Sequence, residues 1–92
     1  MKIPTVEECD AVLKESVDRF YKEESGKIKS AIISSYNLGQ DSCRIELPNR
    51  PRRFSNILWN MIFMDFVSVD KKWKEILHYD FKNGTFVVSF KD

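Results

Sequence analysis

The pair Asn83-Gly84, set between two runs in which apolar and polar side chains alternate, constrains this chain more than any other feature. A two-residue Asn-Gly loop favours a type I′ turn, because both central residues take positive φ, and it thereby sets the register of the flanking strands. Folding about it pairs Phe81 with Phe86, Tyr79 with Val88 and Leu77 with Phe90, all on one face. The other face is mostly polar and includes His78 and Asp80, so one side of the hairpin is expected to form core and the other to meet water.

Upstream of the hairpin the spacing is helical. Thr5-Val6-Glu7-Glu8 has the form of a capping box. Val6, Cys9, Leu13, Val17 and Phe20 follow at steps of three and four, with charged residues opposite, which predicts an amphipathic surface helix. Ser25-Gly26 can end it, but Ile28, Ala31, Ile32, Ser35 and Leu38 resume the period up to Gly39, a suitable left-handed cap. The reading for residues 27–38 is therefore a second helix or a kinked continuation of the first. A strand is the rival, because Ile28, Ser30, Ile32, Ser34 and Tyr36 also alternate. Cys43, Ile45 and Leu47 alternate with Ser42, Arg44 and Glu46, which predicts a half-buried strand ended by Pro48. Helical spacing returns from Phe54 to Met64, with Phe54, Ile57, Leu58, Met61 and Ile62 as the core-facing arc, and Phe66–Val69 reads as a short extended piece. The order of elements predicts a single α+β domain over residues 1–92, with helices packed on one face of an antiparallel or mixed sheet that ends in a hairpin.

Composition agrees with a small soluble domain: 92 residues, 42% hydrophobic and 32% charged, with a formal net charge of +1. No apolar run is long enough to span a bilayer, and Met1–Thr5 leads straight into a charged helix without an apolar signal region, so no membrane association and a cytoplasmic setting are expected. The two cysteines, Cys9 and Cys43, fit neither a metal pair nor a redox motif, and both are expected to be buried thiols.

Little in the sequence points to catalysis. The lone histidine, His78, would lie on the hairpin's open face near Ser89 and Asp80, where no enclosing pocket or oxyanion donor can be placed. One histidine and two distant cysteines cannot hold zinc without several carboxylates, and Gly26, Gly39 and Gly84 are each accounted for by a turn or cap rather than a phosphate loop. No enzyme activity, metal or cofactor is expected.

Two features remain as candidate sites. Trp59, Phe63 and Phe66 fall outside the core-facing arc of their helix and are large aromatics of the kind that anchor interfaces; with Arg50, Arg52 and Arg53 as a charged rim they form a candidate surface for a protein partner or a second copy of the chain. Charge is also uneven. Residues 1–25 hold 4 basic and 7 acidic side chains, whereas residues 26–53 hold 6 and 2. Lys27, Lys29, Arg44, Arg50, Arg52 and Arg53 could therefore contact RNA or DNA phosphates, although no nucleic-acid-binding motif accompanies them.

The helix ending in Asn37-Leu38-Gly39, the run Ser42-Cys43-Arg44-Ile45-Glu46-Leu47-Pro48, a compact helix and a final aromatic hairpin together resemble the small accessory proteins of tailed bacteriophages over residues 28–92. That resemblance implies a protein made early in infection, acting in the host cytoplasm, that binds and blocks a host factor such as a defence enzyme, a toxin or a transcription component. The combined expectation is a non-catalytic protein-binding module, with nucleic-acid contact through residues 27–53 as the alternative.

Overall fold

The structure is a computed structural model that describes residues 2–46, 51–82 and 85–91. Helix α1 (Val6–Asn37) is followed by strand β1 (Ser42–Glu46), helix α2 (Arg52–Val69), the short helix α3 (Trp73–Ile76) and strands β2 (Leu77–Lys82) and β3 (Thr85–Phe90). The strands form one sheet in the order β1-β3-β2, and β3 pairs antiparallel with both neighbours. β1 and β2 therefore run parallel to each other, joined through α2, with β3 inserted between them as in a split βαβ unit. The fold is α+β, as the sequence predicts.

The hairpin register is the one read from the sequence: Leu77 opposes Phe90, Tyr79 opposes Val88 and Phe81 opposes Phe86. On the far side of β3, Cys43 opposes Val88 and Ile45 opposes Phe86. Those residues line the face that packs on the helices, while Arg44, His78 and Asp80 lie on the exposed face. The turn at Asn83-Gly84, and Leu47 and Pro48 at the predicted strand end, lie outside the described residues.

The expected break at Ser25-Gly26 does not occur. Helix α1 continues through it for 32 residues, about 48 Å at 1.5 Å per residue, and matches the 53 Å long axis of the molecule. A helical glycine costs about 1 kcal/mol relative to alanine, which burial of Ile28 and Ile32 just beyond Gly26 outweighs. At its start the Thr5 hydroxyl accepts a hydrogen bond from Glu8 N. At its end Gly39 takes φ 76°, and the bonds from Gly39 N to Tyr36 O and from Gln40 N to Ser35 O form a Schellman cap.

Two further expectations fail for reasons of packing. Phe66–Val69 is helical rather than extended, because Phe66 lies four residues beyond Ile62 and seven beyond Trp59 and extends the buried row of α2 before Asp70 leaves the helix. Cys43 is buried, but Cys9 is exposed, because the first turns of α1 project past the body and Val17 is the helix's first buried residue. Val6, at the head of the predicted apolar stripe, is 76% exposed for the same reason. No helix among the described residues is long and apolar enough to cross a membrane.

Candidate functional site

The predicted aromatic patch is not a surface. Trp59 and Phe66 are each only 7% exposed, and Phe63 is half-buried. α2 packs against both α1 and the sheet, so it buries two adjacent stripes, Phe54-Leu58-Ile62 and Ser55-Trp59-Phe66, where a helix with a single neighbour buries one. The Trp59 ring stacks on Tyr79 at 5.5 Å and meets Phe86 edge-on at 5.7 Å, while Phe66 packs edge-on against Trp73 at 5.2 Å. Ile57 and Met61, expected in the core, are instead half-buried beside α1.

Nor do the basic residues converge. Arg52 donates to the Phe81 carbonyl at 3.3 Å and stands over the Phe81 ring, whereas Arg53, one residue on, pairs with Asp10 of α1. Lys27 pairs with Glu24 along α1, Lys29 with Asp65 of α2, and Arg44 lies on the open sheet face. Arg50 is outside the described residues. Of these six candidate bases, each described one except Arg44 is thus engaged by a different part of the chain itself.

An open apolar groove lies at the C-terminal ends of α1 and α2. Lys29 and Ile33 from α1, Asp65, Phe66 and Val69 from α2, and Trp73 from α3 line this groove of about 370 Å³. Phe66 and Trp73 form its floor, and Trp73 is held in place by the Tyr36 ring packed edge-on against it at 5.2 Å. Its walls are uncovered: Ile33 is 43% exposed and Val69 84%. Such a concave apolar surface, held between three rigid elements, is the usual form of a docking site for an apolar anchor.

One end of the groove is closed by a polar cluster. Lys29 Nζ lies 2.7 Å from Asp65 Oδ2 and 3.1 Å from the Tyr21 hydroxyl, which itself donates to Asp65. The hydrogen bond to Asp65 holds the Lys29 pKa above its ordinary value despite the opposing effect of burial. Burial pushes Asp65 upward, but the bonds from Lys29 and Tyr21 together outweigh it and leave the carboxyl below its ordinary value. Both groups are therefore charged at neutral pH and satisfied by each other, so the cluster fixes the groove's end rather than offering a free acid or base.

The other polar groups give no second site. His78 is exposed, with Nε2 3.2 Å from the Glu75 carbonyl, and Asp80 accepts from Phe81 N. Ser55 Oγ and Tyr79 Oη are buried without a hydrogen-bond partner among the described residues. Among those residues no three His, Cys, Asp or Glu side chains gather as a metal would require. The groove residues Ile33, Val69 and Trp73 were not singled out from sequence. The available signal was Trp73 itself, a large aromatic isolated in the charged run Asp70-Lys71-Lys72-Trp73-Lys74-Glu75. Comparison of the chain with protein-family models, curated proteins and solved structures finds no match.

Proposed function

We propose that the chain is a non-catalytic protein-binding module whose docking surface is the groove between the C-terminal parts of α1 and α2 and α3. The observation that carries this reading is the uncovered pair of walls, Ile33 and Val69, over an aromatic floor of Phe66 and Trp73. The occupant that suits it is the apolar face of an amphipathic helix, which lays a few side chains into a groove bounded by helices. Lys71, Lys72 and Lys74 stand exposed beside Trp73, and none is in an ion pair among the described residues, so the fitting helix carries acidic residues next to its apolar ones.

The likeness to phage accessory proteins supports a finer reading, in which the bound protein is a host enzyme or transcription component that the module blocks. Nucleic-acid contact is the weaker alternative, since most of the bases it needs are engaged within the chain. The test is affinity capture from a cell extract, with and without nuclease, using the wild type and Val69→Asp. A protein held by the wild type, insensitive to nuclease and lost with Val69→Asp supports the reading. Retention that nuclease abolishes, or that Val69→Asp leaves intact, overturns it.

A further inference from the structure

The molecule carries a second uncovered apolar surface. The first turns of α1 extend beyond the core, and Ile3, Val6, Cys9 and Val12 are all exposed there. Cys9 and Val12 share a shallow depression with Pro4 and Glu8, so an acidic side chain borders the apolar ones. Between residues 2 and 12 the chain has one base, Lys2, and three acids, Glu7, Glu8 and Asp10. Asp10 is used by Arg53, but Glu7 and Glu8 are in no ion pair among the described residues.

This projecting arm has the chemistry that the groove calls for: a short stretch of helix, apolar on one side and acidic beside it, with Glu7 and Glu8 in no ion pair among the described residues. The groove has the complement: apolar walls, an aromatic floor, and, in the run 70–75 that follows its lining residue Val69 and contains Trp73, three exposed lysines (Lys71, Lys72 and Lys74) against two acids, with none of the lysines in an ion pair among the described residues. The arm cannot reach its own groove. From Val6 to Lys29 is 23 residues of continuous helix, about 35 Å, and a rigid helix does not fold back on itself.

We infer that the groove of one molecule takes the α1 arm of a second copy, so that the chain associates head to tail. The inference rests on the reading of the groove as a docking surface and names its occupant. Because the two surfaces differ and lie far apart along α1, the contact is heterologous, and unless it closes into a ring it adds further copies. A few helical turns in a groove bury less than the roughly 1,200 Å² typical of stable complexes, so association in the micromolar range or weaker follows. Opposite charges at the contact make it weaken as salt is added.

The experiment is sedimentation velocity on the full chain from micromolar to near-millimolar concentration, at low and high salt, with Val6→Asp and Val69→Asp alone and mixed. Both positions are exposed, and an unchanged circular dichroism spectrum and unfolding midpoint verify the fold; Val12→Asp and Ile33→Asp serve as the second arm and groove variants. The wild type is expected to gain mass with concentration beyond a dimer or into a closed ring, less so at high salt. Each variant alone remains a monomer. The equimolar mixture forms a dimer that does not grow, because it joins one intact arm to one intact groove.

A wild type that stays monomeric throughout overturns the inference, as does association that survives in Val69→Asp, which would be arm against arm. So does a mixture that fails to pair. In each of these cases groove-dependent capture of a different protein leaves the docking reading standing with another occupant. Its absence, alongside a monomeric wild type, removes both.

Discussion

Trp59 illustrates how a single side chain changes meaning when its neighbours are known. On the helix wheel it lies outside the core-facing arc, and its size suggests an interface anchor; in the structure it joins α2 to both hairpin strands, stacked on Tyr79 and edge-on to Phe86. Trp59→Ala is accordingly expected to destabilise the fold by about 3–5 kcal/mol, read as a lower denaturant midpoint, and any loss of binding follows from unfolding. Ser55, one turn earlier on the same stripe, should behave in the opposite sense. Its hydroxyl is fully buried and has no partner among the described residues, so Ser55→Ala removes a desolvated polar group at little cost in volume. A gain of up to about 1 kcal/mol in the same denaturation experiment is expected, and a loss would mean that an ordered water satisfies the hydroxyl.

At the scale of elements, the sequence predicts best where geometry is local. The hairpin register follows from the alternation of side chains about Asn83-Gly84, and the ends of α1 follow from Thr5 and Gly39, because each depends on residues a few positions apart. It predicts poorly where a distant element decides. Gly26 reads as a stop only until Ile28 and Ile32 are seen to be buried, and Phe66–Val69 reads as extended only until Phe66 is seen packed on Trp73. The two α1 glycines give a paired prediction of opposite sign. A methyl group at Gly26 meets nothing within 4 Å, so Gly26→Ala should stabilise by about 0.5–1 kcal/mol through helix propensity. Gly39 also has open space but holds φ 76°, where alanine is strained, so Gly39→Ala should destabilise by about 1 kcal/mol. Thr5→Ala removes the cap of a projecting arm, so amide exchange over residues 6–12 should quicken while the global unfolding midpoint stays in place.

Over the whole molecule, the candidate site could not be read from sequence because it is made where three elements meet. Ile33 and Lys29 belong to α1, Val69 and Asp65 to α2, and Trp73 to α3; no motif spans them, and only their assembly creates a groove. The Tyr21, Lys29 and Asp65 cluster ties two of those elements together from positions up to 44 residues apart, and its effect should be visible in the pH dependence of stability. Asp65 titrates below its ordinary value of 3.8 in the folded protein, so the unfolded chain binds its proton more readily. The stabilisation is therefore complete above the ordinary carboxylate range and is lost as the pH falls through the depressed folded value. Lys29 behaves in mirror image: its pKa is raised above 10.5, so its share is complete below 10.5 and is lost as the pH rises through the folded value. Both side chains are partly exposed, at 30% for Lys29 and 41% for Asp65, so solvent screening limits the effect to about 1 kcal/mol or less. Asp65→Asn should lower stability by that amount near neutrality and not at all well below the depressed folded value. The wild-type and variant curves of unfolding free energy against pH should thus converge on the acid side. A constant offset between them down to the lowest pH would show that Asp65 acts through packing or a neutral hydrogen bond and that its charge contributes nothing to the tether.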